Sequence, residues 1–331
     1  MKVHASAIAA LFLSLLTTSL AAQRGGAGQG VREVTVTAIP GVVSAGATWQ
    51  VAWQGTDNAD GLVGTADGGL LFAQEQPRRI SKLDAMDRVS VFLTDTHGAG
   101  SLGIDAKGRI VAVERTCTDP GGRPEQCFEF PAISVLTPAR MVLADRFEGK
   151  PLGRLNDLVV DAKGRVYFTV GGAYYVGPNG GVKSLGDDLR TNGVMLSRDE
   201  KLVYVTNGNT IVAFDILPDG SVSNRRNFAT LEGGGNGDGM AIDNDGRLYV
   251  TSAPGVQVIS ADGTYLGLIP TPRPSISVAF SGNEKRTLYI VGSGALGTDG
   301  QEFKTPEGVR NNAKTIYRLE MIAAGFGGRA K

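Results

Sequence analysis

The chain has 331 residues, enough for a large core, with 47 glycines and 7% aromatic residues. That balance favours short strands and many turns over long helices. Its 33 basic residues match 33 acidic ones, so no net charge draws it to nucleic acid or anionic lipid, and no aromatic-basic stripe is present.

Taken in order, the chain opens on a processing signal. Lys2 and His4 precede an apolar run over residues 8–16, and the small residues Ser19, Ala21 and Ala22 follow. This is an n-region, an h-region too short to span a bilayer, and an A-x-A-like cleavage site. Residues 1–22 are therefore expected to be removed on export to the periplasm or the exterior. No membrane association is expected afterwards. Residues 23–30 are Gly-rich and read as a flexible lead. Residues 31–331 read as one domain, expected to be monomeric.

Alternation of apolar and polar residues predicts strands at 31–39 and 49–53. A two-strand unit then recurs at 60–73, 100–113, 156–169, 192–206, 238–251 and 276–291. Each unit has an apolar strand, a turn rich in Asp, Gly, Lys or Glu, and a second apolar strand, which is a β-hairpin pattern. Third strands are predicted at 79–83, 133–136, 210–214, 255–259 and 315–319, with a weak one at 181–185. Six units roughly 36 to 56 residues apart suit the blades of a propeller. The prediction is an all-β, six-bladed β-propeller of antiparallel four-stranded blades, in which the strand near the mature N-terminus completes the last blade. The longest insertions, 116–131 and 292–314, fall between second and third strands, on the face where each inner strand begins.

Cys117 and Cys127 are the only cysteines and flank a polar, turn-rich loop. In an oxidising compartment they are expected to form a disulfide. One position repeats across the blades. Eight residues before the turn residues Gly68, Gly108, Gly164, Glu200 and Gly246 stand Asp60, Gly100, Asn156, Asn192 and Asp238; blade six has Ile276 there. Quasi-symmetric positions around a channel converge in space. Two carboxylates and two amides, Asp60, Asn156, Asn192 and Asp238, would make an all-oxygen site for a hard divalent cation. Ca2+ fits best, Mg2+ or Mn2+ next, and Zn2+ least, since no Cys or His is at hand. The bland alternative is that these side chains only cap the turns that start each inner strand. Arg115, just ahead of the cysteine loop, faces the same end. It either binds an anionic substrate group or pairs with a nearby carboxylate. Once the signal is removed His97 is the one histidine, so no histidine dyad can form, and Asp238 is the candidate general base.

Several segments resemble the senescence marker protein (regucalcin)/gluconolactonase family of six-bladed propellers. They are Arg154-Leu155-Asn156-Asp157; Asn192-Gly193 followed by a Ser-Arg-Asp turn; and Asp238-Gly239-Met240 followed by Ile242-Asp243-Asn244-Asp245-Gly246. The resemblance implies a divalent cation at the channel mouth, with Asn192 and Asp238 as ligands and with Arg154 and Asn156 facing the metal's water or the substrate. The family carries a glutamate in a Glu-Gly-Pro segment where this chain has Asp60-Gly61-Leu62, one methylene shorter. The function expected is metal-dependent hydrolysis of sugar or related lactones, a small-molecule substrate. The alternatives are a metal-stabilised binding propeller without catalysis, and a hydrolase of phosphoesters or organophosphates.

Overall fold

One turn recurs in three of the six inner hairpins. In Asp161-Ala162-Lys163-Gly164-Arg165 the Asp161 carboxylate accepts the backbone N–H of Lys163 at 3.0 Å and of Arg165 at 2.8 Å, and Arg165 Nε at 2.5 Å. Gly164 sits at φ 79°, a left-handed conformation that a residue without Cβ adopts at little cost. Asp105 and Asp243 repeat the same three bonds, to Lys107 and Arg109 and to Asp245 and Arg247. Burial pulls the Asp105 carboxyl upward, yet its bonds to the Arg109 backbone and side chain hold it below the usual carboxylate range. Each turn folds an inner strand back onto its neighbour.

The computed structural model describes residues 30–115 and 129–329. These form six four-stranded antiparallel sheets around a channel. The inner strands are Asp60–Gly64, Ala99–Ile104, Leu158–Val160, Val194–Leu196, Met240–Ile242 and Ser275–Ser281. Each packs against the inner strands of the neighbouring blades, and the last returns to the first. Five outer strands follow in sequence within their blades. The sixth, Gln50–Gly55, comes from the N-terminal side and pairs antiparallel with Lys314–Glu320. The predicted closure of the last blade is what the structure contains.

The core lies between blades. Tyr167 of blade three, Met195 and Tyr204 of blade four, and Ile242 and Val250 of blade five share one buried cluster. Tyr249 and Phe280 join blades five and six edge to face, with centroids 4.8 Å apart. Trp53 on the closing strand meets Phe72 of blade one at 5.0 Å.

Two strand assignments need correction. Residues 31–39 form no ladder; Ile39 makes only an isolated bridge to Val43. Their alternation is satisfied instead by burying Val36 and Ile39 against blades five and six. In blade three the third strand is Gly172–Val176, and Val182–Gly186 is the fourth. The turn between Val170 and Gly172 is so short that no polar gap marks it in the sequence. Cys117, Cys127 and the export signal at 1–22 lie outside the described residues, and no described helix is long and apolar enough to cross a membrane.

Candidate functional site

Each ring residue is held by its own blade. Asn156 donates its backbone N–H to Thr169 O at 2.8 Å, Asn192 to Thr206 Oγ1 at 2.8 Å, and Asp238 to Thr251 O at 2.9 Å. These three threonines are fully buried at the ends of the second strands. Their hydroxyls also bond backbone carbonyls at the start of an inner strand: Thr169 Oγ1 to Asn192 O, Thr206 Oγ1 to Gly193 O, and Thr251 Oγ1 to Gly239 O. The sequence reading passed over them, although each closes one of its two-strand units. Asp60 begins its inner strand and is fixed by the Gly61 N–H at 2.8 Å.

Neighbouring blades come close at this level. A Cβ on Gly239 would lie 2.9 Å from Ile276 O, and one on Gly61 would lie 2.6 Å from Ser101 Cα. On Gly193 it would run into the Asp238 carbonyl. The backbones of the Asn192 and Asp238 segments are therefore adjacent. Side chains meet as well: Asn156 Nδ2 donates to Asn192 Oδ1 at 2.7 Å. Arg154, two residues ahead of Asn156, is exposed.

Blade two supplies no side chain at its ring position, because Gly100 stands there. Arg115 fills the gap. A Cβ on Gly100 would overlap Arg115 Nε and Glu75 Oε1. The Arg115 guanidinium pairs closely with Glu75, and its Nη1 lies 3.3 Å from Asp60 Oδ2. Its Nη2 reaches Asn156 O at 2.5 Å and Asn156 Oδ1 at 3.3 Å. Of the two roles open to Arg115 from sequence, the structure shows the carboxylate pair. Glu75 was missed entirely. It is a carboxylate at the end of an apolar strand, and only its burial distinguishes it from a solvated one.

Beneath the ring, Asp157 ties three blades together. It accepts Ser101 Oγ of blade two at 2.6 Å, its own following N–H from Leu158 at 2.9 Å, and Val194 N–H of blade four at 3.2 Å. Burial raises the Asp60 carboxyl above its ordinary value. The Arg115 charge and the Gly61 N–H oppose that rise, and the nearby Asp157 charge adds to it. Asp60 is thus short of positive charge even with the guanidinium in place.

That shortage, together with an all-oxygen donor set, suits a hard divalent cation. Among the described residues no three His, Cys, Asp or Glu side chains cluster as a metal site. A cation here would therefore lean on the amide oxygens of Asn156 and Asn192 as well as on Asp60 and Asp238.

A family model described as "SMP-30/Gluconolactonase/LRE-like region" matches residues 65–294. The chain belongs to this family. Among relatives, a gluconolactonase of Zymomonas mobilis is 30% identical over 192 residues, covering 49% of this chain and 54% of that protein. Regucalcin of Pongo abelii is 27% identical over 248 residues, covering 68% of this chain and 79% of regucalcin. The lactonohydrolase oryL of Aspergillus oryzae is 23% identical, and 48% of it is covered. The chain thus spans about half the length of the gluconolactonase and the lactonohydrolase. A solved gluconolactonase from Xanthomonas campestris superposes with a TM-score of 0.66 at 24% identity, over 83% of this chain and 90% of that one. A calcium-binding regucalcin from Agrobacterium tumefaciens gives 0.63 at 16%, over 83% and 95%. Both structural likenesses establish the fold.

Proposed function

We propose that this family member hydrolyses lactones at the ring of Asp60, Asn156, Asn192 and Asp238, with a divalent cation held there. The observation that carries the proposal is the joining of the ring across blades: Asn156 on Asn192, and Asp60 linked to Asn156 through Arg115. The gluconolactonase and lactonohydrolase relatives give the reaction class. When bound, the cation, with Ca2+ the first candidate, would polarise the lactone carbonyl and lower the pKa of a water beside it.

The chain's own groups do the rest. Asp238 is half-buried and fixed by Thr251, and it takes a proton from the attacking water. The water oxygen bonds to the carbonyl carbon, the ring C–O bond breaks, and the proton passes to the departing alkoxide, leaving a hydroxy acid. Arg154, exposed two residues ahead of Asn156, would meet a polar group of the substrate. The test is turnover on a panel of aldonolactones and simple lactones, with and without EDTA. Hydrolysis that EDTA abolishes and Ca2+ or Mn2+ restores is expected; no turnover on any lactone would refute the reading.

Export and a Cys117–Cys127 bridge belong to the same proposal. An oxidising compartment would let the pair close a short loop, with a modest stabilisation of roughly 2–3 kcal/mol. Intact mass spectrometry of natively purified protein should show no alkylatable thiol and a chain cut near Ala21 or Ala22. Two free thiols would overturn the bridge.

A second reading has one observation in its favour. The Arg115 guanidinium already engages Asp60, as it would in a propeller that binds a ligand without hydrolysing it.

A further inference from the structure

Gly100 and Arg115 have to be considered together. The ring position of blade two lacks a side chain, and a guanidinium from the end of the adjacent strand takes the space. Arg115 is nearly enclosed, with its side chain 7% exposed against 3% for Glu75 and 21% for Asp60. A purely structural pair would need only Glu75. Here the planar fork also spans two members of the ring, Asp60 and Asn156.

The contacts are unequal. Glu75 is close and Asn156 O is at 2.5 Å, whereas Asp60 Oδ2 and Asn156 Oδ1 are the long ones, each at 3.3 Å. Arg115 can therefore give up Asp60 while keeping a buried counter-ion and a carbonyl acceptor. We propose that Arg115 is a resident competitor for the divalent cation at Asp60, with Glu75 as the dock that holds it when the cation arrives. The proposal rests on the cation reading above.

The physical consequence is on affinity. A guanidinium and a divalent ion on the same carboxylate repel each other strongly in a partly desolvated site. Asp60 is also a poorer ligand while its charge is shared. The ring therefore binds its cation weakly, and the strength is set by a pair that never coordinates it.

Calorimetric titration of Ca2+ and Mn2+ into the full chain tests this. Glu75→Gln with Arg115→Gln removes both charges and keeps polar groups in place. The double variant should bind at least about tenfold tighter than wild type. Asp60→Asn should weaken binding more in the double variant than in wild type. Equal affinities overturn the competitor and leave the cation reading standing; binding by neither protein removes that reading and the competitor with it. Should the double variant fail to fold, wild-type crystals soaked in Mn2+ decide. An ion on Asp60 with Arg115 withdrawn onto Glu75 supports the proposal. An ion on Asn192 and Asp238 alone, with Arg115 still on Asp60, overturns it.

Discussion

At the scale of single residues, the proposed reaction turns on Asp238. A carboxylate beside a cation is normally a weak base, because the positive charge favours its ionised form. Activation of water must then come mostly from the cation, with proton transfer the smaller part. Asp238→Asn is nearly isosteric and leaves the Thr251 backbone bond intact, so the fold should survive. Turnover should fall about 100-fold or more, through loss of the base and weaker cation binding. Circular dichroism checks the fold and steady-state lactone hydrolysis checks the rate; retention of most activity would remove Asp238 from its role. The four positions could be picked out in the sequence because a fixed spacing from a turn residue, Gly68, Gly164, Glu200 or Gly246, repeats over blades. Glu75 and Arg115 were less legible. Their partnership depends on an absent side chain at Gly100, and an absence has no chemistry to read. The threonines at 169, 206 and 251 lay in view as strand ends, but their hydroxyls matter only once a neighbouring blade is in place.

At the scale of elements, the long segment between Thr287–Ser293 and Lys314–Glu320 enters from the ring face, since Ser275 at the start of the inner strand pairs with Gly292. It is pinned there. Arg273 is completely buried and grips Glu302 with both Nη atoms, at 3.0 and 2.6 Å, while its Nε donates to Tyr317. Glu302→Gln leaves a buried guanidinium without its carboxylate. It should cost about 3 kcal/mol, the lower part of the range for a broken buried pair, because the Glu302 side chain is 25% exposed. Urea unfolding measures that loss, and hydrogen exchange should quicken across 296–313. Unchanged exchange there would mean the pair does not pin the loop. Three of the inner hairpins were readable at this scale because Asp-x-x-Gly-Arg encodes its own turn. Blade three was misread where a turn had shrunk to a single residue.

At the scale of the whole molecule, the C-terminal segment around Phe326 and Arg329 is fastened at the mouth opposite the ring. Lys285 donates its amine to Phe326 O at 2.9 Å and also to Arg329 O, and the buried Arg329 guanidinium reaches Leu196 O and Ser197 O of blade four. Burial, with the Arg329 charge adding to it, pushes the Lys285 amine down to about 8. The unfolded chain keeps the ordinary value of 10.5, so between these two the unfolded state binds more protons and stability rises with pH. Relative to Lys285→Gln, wild type should gain up to about 3 kcal/mol from pH 8 to 10.5. Urea midpoints at pH 7.5, 9 and 10 check this; a constant difference would mean the amine titrates normally. The other fastening, Gln50–Gly55 on Lys314–Glu320, has a kinetic consequence. Gln50 and Arg318 bond across 268 positions of sequence, and closing a loop of that length costs roughly 5 kcal/mol of chain entropy. A ribosome must release nearly the whole chain before this contact can form, so the last blade stays incomplete until synthesis is almost over. Under the export proposed above, that delay would help, since an unclosed propeller can still be threaded through a translocation pore.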